Sequence, residues 1–299
     1  MKLLFSEAKP DYAHYVYPYV IWGFLEPGET PADALAAGFL PSTPALDRFY
    51  LGRQIRIPLA DWKPSSENRR VLRKAANLRG ELISRTDFDY SAARRDAWLA
   101  FAEERFGAGV MPPGRLDGLM SGAVVTHLLH FTEGTTGADV GTVLLYVESS
   151  RSAIYSFAFY SPALEARPVG MAMMTRAVEY FAQAGLAYLH LGTCYTEKAL
   201  YKAQFEPLEF FNGFRWSRNL DELKHLVRVA SDGRHRLETP DFLAFQPAPP
   251  RELAQTTGFR GGRLVTGDGM SVPVKCGRTY GSSSTSVFEL SLDAQMDGE

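Results

Sequence analysis

The feature that most constrains this 299-residue chain is an ordered run of patterns between residues 121 and 216. Three apolar runs, 121–131, 141–148 and 153–160, are divided by the turn-forming groups Gly134, Thr135, Thr136, Gly137 and Ser149, Ser150, Arg151, Ser152. They read as successive antiparallel strands. A helical pattern follows at about 169–184, then a strand at 186–191, a short helix at 196–204 and a strand at 209–216. Asn219 is suited to cap a further helix running toward Ala230. Antiparallel strands that run into β-α-β-α-β demand a mixed α/β layer fold.

Upstream the aromatic stretch Tyr12, Tyr15, Tyr17, Tyr19, Trp22 and Phe24 predicts an extended, half-buried strand ending at Pro27 and Gly28. Thr30 and Pro31 open a short helix from Ala32 to Ala37, which Gly38 stops. In 53–59, Ile55, Ile57 and Leu59 alternate with Gln54 and Arg56, so one strand face is expected to be apolar and the other polar. Pro64, Ser65 and Ser66 should cap a basic helix that continues to about Leu78 and ends at Gly80. A second helix is expected from Tyr90 to Phe106, where Ala93, Ala97, Phe101 and Ala102 recur at helical spacing and Gly107 follows. The break at Pro112, Pro113 and Gly114 suggests three parts: an amino-terminal domain (1–110), an α/β domain (111–231) and a carboxyl-terminal extension (232–299). Prolines 240, 247, 249 and 250 give the extension a linker-like start. Its later β-prone pieces, such as Ser286–Leu290, suit an added strand or a partly flexible tail.

Charge is distributed unevenly. The net charge is −2, yet residues 48–95 hold twelve basic side chains against five acidic ones, a local surplus of seven. Such a block suits a polyanion, because Lys and Arg contacts to phosphates release counterions. A solvated helix face would carry the same residues. The two cysteines, Cys194 and Cys276, can neither build a disulfide framework nor complete a metal-ligand spacing, so no metal is expected. No apolar run approaches membrane-spanning length, and Met1 to Phe5 is too short for a signal peptide. The expected location is the cytoplasm.

Two stretches carry chemistry. Arg167, Pro168, Val169, Gly170, Met171 and Ala172 lie where a strand hands over to a helix, and a glycine there lets backbone N–H groups approach a phosphate. The pattern resembles the pyrophosphate loop of the GNAT acyltransferases, with Arg167 and Gly170 as donor-binding candidates. The second stretch runs from Leu191 to Lys202 at the carboxyl edge of the sheet, where ligands of open α/β layers collect. Lys198 and Lys202 are four apart, the spacing of a shared α-helix face, and Tyr195 and Tyr201 add two hydroxyls.

Here the chain resembles the arginyl-tRNA–protein and bacterial leucyl-tRNA–protein transferases of the N-degron pathway. Lys198-Ala-Leu-Tyr201-Lys202-Ala-Gln-Phe205-Glu-Pro207-Leu208-Glu209 is similar to the Lys-x-x-Tyr-Lys stretch and Pro-Leu-Glu tail of that family's GNAT-like domain. Upstream, Ala36-Ala-Gly38-Phe-Leu-Pro-Ser and the segment from Arg56 through Lys63-Pro64-Ser65 to Arg69-Arg70-Val-Leu-Arg73-Lys74 resemble its amino-terminal domain. The resemblance spans roughly residues 12–216. It departs from the family at Tyr15-Val-Tyr17-Pro18 and Phe49-Tyr50-Leu51-Gly52, which lack the family's cysteines, and at Thr126-His127 and Phe159-Tyr160-Ser161-Pro162, which lack its aspartates.

The resemblance implies a GNAT-like α/β enzyme with a smaller basic amino-terminal domain. The enzyme would move an amino acid, arginine or leucine, from charged tRNA to a protein or peptide amino terminus without a cofactor. It assigns Tyr201, Lys198 and Tyr195 to catalysis. Lys202, Arg167 and Gly170 would bind the donor, with Arg69, Arg70, Arg73 and Lys74 on the tRNA backbone. His127 is a candidate base. The competing expectations are a CoA-dependent N-acetyltransferase using acetyl-CoA, and a non-catalytic tRNA- or degron-binding homologue.

Overall fold

A computed structural model describes residues 1–7, 19–161, 169–213, 215–228, 240–245, 263–265, 271–273 and 288–291. Arg167 and Cys276, residues 12–18 of the aromatic stretch and most of 232–299 lie outside the described residues. The chain forms two compact units: Met1–Arg53 with Tyr195–Glu197 and Phe210–Glu299, and Gln54–Cys194 with Lys198–Glu209.

In the first unit, β1 (Lys2–Glu7), a strand not anticipated from sequence, pairs antiparallel with β2 (Tyr19–Phe24). Helix α1 (Pro31–Ala36) starts on a capping box between Thr30 and Asp33. Strands β3 (Phe39–Pro41) and β4 (Phe49–Leu51) extend the sheet, and Phe39, Phe49, Leu3 and Met1 fill its core. The expected added strand is present as Phe288–Ser291, antiparallel to β1.

The second unit opens with β5 (Gln54–Pro58) and the basic helix α2 (Ser66–Lys74). Next come β6 (Leu78–Ser84), α3 (Ala92–Phe106) and α4 (Pro113–Ser121). Strands β7 (His127–Glu133), β8 (Asp139–Glu148) and β9 (Ser152–Tyr160) form the expected antiparallel meander. Helix α5 (Val169–Gln183) crosses to β10 (Tyr188–Thr193), parallel to β9, and a 3₁₀ helix follows at Glu197–Gln204. The strand order is β5-β10-β9-β8-β7-β6, with α5 and α3 packed on β9. Antiparallel strands, crossover helix and parallel strand together make the expected mixed α/β arrangement. The chain then completes the first unit with the hairpin β11 (Glu209–Phe211) and β12 (Trp216–Ser217) and helix α6 (Leu220–Arg228), where Asn219 Oδ1 accepts the Asp221 and Glu222 N–H groups.

Four expectations need correction. The unit boundary falls between Arg53 and Gln54 and not at 110/111, because β5 pairs with β10 and β6 with β7. Both faces of β5 are buried: Gln54 and Arg56 are interior, held by His190 and Glu209. The basic helix ends at Lys74, and Gly80 is a strand residue; a Cβ there would lie 2.9 Å from the Phe131 ring across the ladder. The Pro-Pro-Gly break starts α4, since Pro113 occupies the first helical turn, where a missing N–H sacrifices no bond.

Candidate active site

The site is built around a parting of two parallel strands. β9 and β10 share three registered positions, the last being Ile154 with His190. Beyond it β9 runs on to Tyr160 and β10 to Thr193 with no further pairing between them among the described residues. Each strand carries an irregularity at this level. On β9, Leu144 pairs with Phe157 and Leu145 with Tyr155, which leaves Ser156 as an extra residue. On β10 the register against β5 shifts between His190 and Gly192, leaving Leu191 out. Bulges of this kind bend a strand and end its pairing. The result is a wedge between β9 and β10.

The bulge also decides which side chains face the wedge. Tyr155 and Phe157 are two apart and would share a face on a regular strand. Their partners Leu145 and Leu144 are adjacent, so the two side chains leave opposite faces. Phe157 packs toward α3, with Phe106 at 6.0 Å, beside the stacked Trp98 and Phe159 at 4.7 Å. Tyr155 takes the other face, which it shares by register with Tyr160. Tyr160 closes on the start of α5: a Cβ at Gly170 would lie 3.3 Å from its hydroxyl oxygen. Gly170 therefore makes room for a tyrosine ring, and Arg105 donates to that ring's hydroxyl at 3.1 Å.

The 3₁₀ helix supplies the mouth. Lys202 Nζ donates to the Thr193 carbonyl at 2.9 Å, and Gln204 Nε2 lies 2.9 Å from Met171 Sδ on α5. The expected common face for Lys198 and Lys202 is absent, because a 3₁₀ helix has three residues per turn. Lys198, Tyr201 and Gln204 align instead, with Lys198 and Tyr201 exposed. Lys202 is drawn inward, and burial holds its ammonium pKa below the ordinary lysine value, partly offset by Cys194. Tyr201 is 49% exposed over the whole residue. Its phenol pKa is nevertheless raised, first by desolvation and then by Tyr160 and Cys194, so it stays protonated at neutral pH. The segment is fastened at its far end, where buried Arg56 reaches Glu209 Oε2 at 2.8 Å through both Nε and Nη2 and stacks over Tyr188 at 4.0 Å.

The remaining candidates are distributed more widely. Register sets His127 across β8 from Tyr155, roughly 10 Å away by two strand spacings, with Nδ1 3.0 Å from Thr126 Oγ1. Tyr195 belongs to the first unit; its hydroxyl accepts the Arg53 N–H at 3.0 Å and its ring lies beneath that guanidinium. Arg69, Arg70, Arg73 and Lys74 are all exposed on α2. Sequence reasoning missed Tyr155 and Ser156. Two tyrosines five apart in a strand were visible, but period-two counting puts them on opposite faces.

Residues 101–212, from α3 through the 3₁₀ helix, match the family described as arginine-tRNA-protein transferase, C terminus. Over this segment the chain is similar to aminoacyl-tRNA–protein transferases. Among curated relatives of this family, an aspartate/glutamate leucyltransferase of Chromohalobacter salexigens is 28% identical over 214 residues, 66% of this chain and 85% of that relative. One from Ruegeria sp. is 30% identical over 173 residues, 54% of this chain and 60% of the relative. Of solved structures, L-PGS from Bacillus licheniformis aligns over 55% of this chain and 51% of its own, at a TM-score of 0.36 and 10% identity. The transferase match contains the wedge and its mouth: Tyr155, Tyr160, Gly170, Lys198, Tyr201 and Lys202 all fall within it. No helix among the described residues is long and apolar enough to cross a membrane.

Proposed function

We propose that this chain transfers an aminoacyl group from charged tRNA to the amino terminus of a protein or peptide, with the wedge between β9 and β10 as the acyl-transfer site. The observation that carries the proposal is Tyr201, a protonated phenol at the mouth of an opened parallel strand pair, inside the segment matched to the transferase family. An aminoacyl ester is already activated, so the enzyme mainly has to hold it beside a neutral amine. The acceptor amine, with a pKa of about 8, is partly free base at neutral pH and needs little help from a base. His127, across β8 from Tyr155, is the imidazole candidate for that help. The 3′-oxygen is the poorer partner, and the Tyr201 hydroxyl is suited to protonate it.

The cations divide between two tasks. Lys198, exposed on the same face as Tyr201, is suited to the phosphates of the acceptor end. Lys202 instead fixes the Thr193 carbonyl and the shape of the mouth. The exposed Arg69, Arg70, Arg73 and Lys74 would follow the tRNA backbone, which positions the molecule without reading its sequence. Because the relatives above carry the name aspartate/glutamate leucyltransferase, leucyl-tRNA and peptides beginning with Asp or Glu are the first substrates to test. Labelled amino acids on mixed charged tRNA are offered to peptides with different first residues, with acetyl-CoA as a competing donor. Amino-acid incorporation into a peptide is expected. Acetylation without aminoacylation would overturn the proposal.

A further inference from the structure

We propose that the Tyr155 hydroxyl is a further catalytic group, donating the hydrogen bond that holds the carbonyl oxygen of the donor ester while it carries negative charge. This rests on the aminoacyl-transfer reading of the wedge. Tyr155 is 6% exposed, and its hydroxyl has no hydrogen-bond partner among the described residues. Buried hydroxyls are nearly always bonded, because leaving one unpaired forfeits its hydration for nothing. The exceptions therefore call for a reason, and position supplies one here. Tyr155 is the first residue of β9 beyond the last pair shared with β10, and the Ser156 bulge sets it on the strand face opposite Phe157.

The surrounding groups are already committed. Lys202 is tied to the Thr193 carbonyl, Tyr160 accepts from Arg105, and Tyr201 stands half-exposed at the mouth. Burial, with Tyr201 and Tyr160 near, holds the Tyr155 phenol well above its usual pKa, so it remains a donor throughout the pH range of an enzyme. A deep, permanently protonated hydroxyl needs an acceptor, and in acyl transfer the atom that gains charge is the carbonyl oxygen. In the step, the amine nitrogen bonds to the ester carbon and the carbonyl π pair moves onto oxygen, held by the Tyr155 O–H. As the pair returns, the bond to the ribose 3′-oxygen breaks. Tyr201 gives its proton to that oxygen and recovers one from the amine, so the proton count is unchanged.

The test is Tyr155→Phe, which keeps the ring and removes one oxygen. Single-turnover transfer from charged tRNA to an acceptor peptide should slow at least about a hundred-fold, the loss seen when one oxyanion donor is removed. The half-saturating tRNA concentration should not change, and the melting temperature should hold or rise, because an unpaired buried hydroxyl is lost. A rate within about threefold of wild type would overturn the assignment. So would a clear fall in melting temperature, which would reveal a structural bond to that hydroxyl. Wild-type protein that transfers from no charged tRNA would sink the aminoacyl-transfer reading itself, and this inference with it, whatever the variant does.

Discussion

Helix α2 and the 3₁₀ helix at Glu197–Gln204 both present lysines or arginines that the sequence offers to the same anion, yet they hold their charge differently. On α2, Arg69, Arg70, Arg73 and Lys74 are all exposed, while Asn68 and Val71 face inward. Arg70 is paired to Glu67 one turn back, and Arg69 donates to the Pro64 carbonyl at 2.6 Å. On the 3₁₀ helix the tighter winding separates two lysines that an α-helix would align. Lys198 stays in water, and Lys202 is turned in against Thr193. Spacing alone does not separate a cation that binds through a field from one that binds through a bond. Burial does: the first is screened by salt and the second is not.

The largest effect expected is at Tyr201. Tyr201→Phe should slow single-turnover transfer by about a hundred- to ten-thousand-fold if its proton serves the leaving oxygen. A loss of only a few-fold would leave the mouth a matter of packing, and the vicinal 2′-hydroxyl of the tRNA would become the proton shuttle. Next is Lys202→Met, whose loss of rate should be the same at low and high salt, in contrast to any change on α2. The same variant carries a stability signature. Burial places the folded pKa of Lys202 below the 10.5 of an ordinary lysine, so between the two values the unfolded chain binds more protons. Wild-type stability therefore gains as pH rises through that window, and the Met variant should lack the gain. Melts from neutral pH to about 10.5 read this directly; parallel curves would mean Lys202 is not desolvated.

Smaller effects belong to α2. Arg73→Ala with Lys74→Ala should weaken tRNA binding several-fold and reduce the salt slope by about one to two, one for each lost phosphate contact. Arg70→Ala should do least, because its guanidinium is already engaged by Glu67. If instead Arg70 dominates, the Glu67 pair must break on binding, and Glu67→Gln should then tighten tRNA. An unchanged slope in a filter-binding series for all three positions would remove α2 from the interface.

Much of this fold was legible because its signals are local. The Ser65 cap, the meander of β7, β8 and β9, the length of α5 and the Asn219 cap all follow from residues within a few positions of each other. The failures share a different cause. Gly80 looked like a helix stop because Phe131, the residue that makes it a strand glycine, is fifty positions away. Gln54 and Arg56 looked solvent-facing because their partners His190 and Glu209 come from distant segments. At the site, the motif around Tyr201 and Lys202 was readable as chemistry, but its winding was not. Tyr155 was hidden by a single uncounted residue.

That uncounted residue has a consequence for the inheritance of the site. A strand is a parity device: every side chain's address is odd or even, and Ser156 switches the parity of everything after it. Two tyrosines at an odd separation can share one face of β9 only while the switch is in place. That shared face is therefore protected less by the identity of residue 156 than by its existence. Substitutions at that position should be tolerated widely, whereas deleting it would leave every aromatic residue of β9 in the sequence and reverse the faces of Phe157, Phe159 and Tyr160 relative to Tyr155.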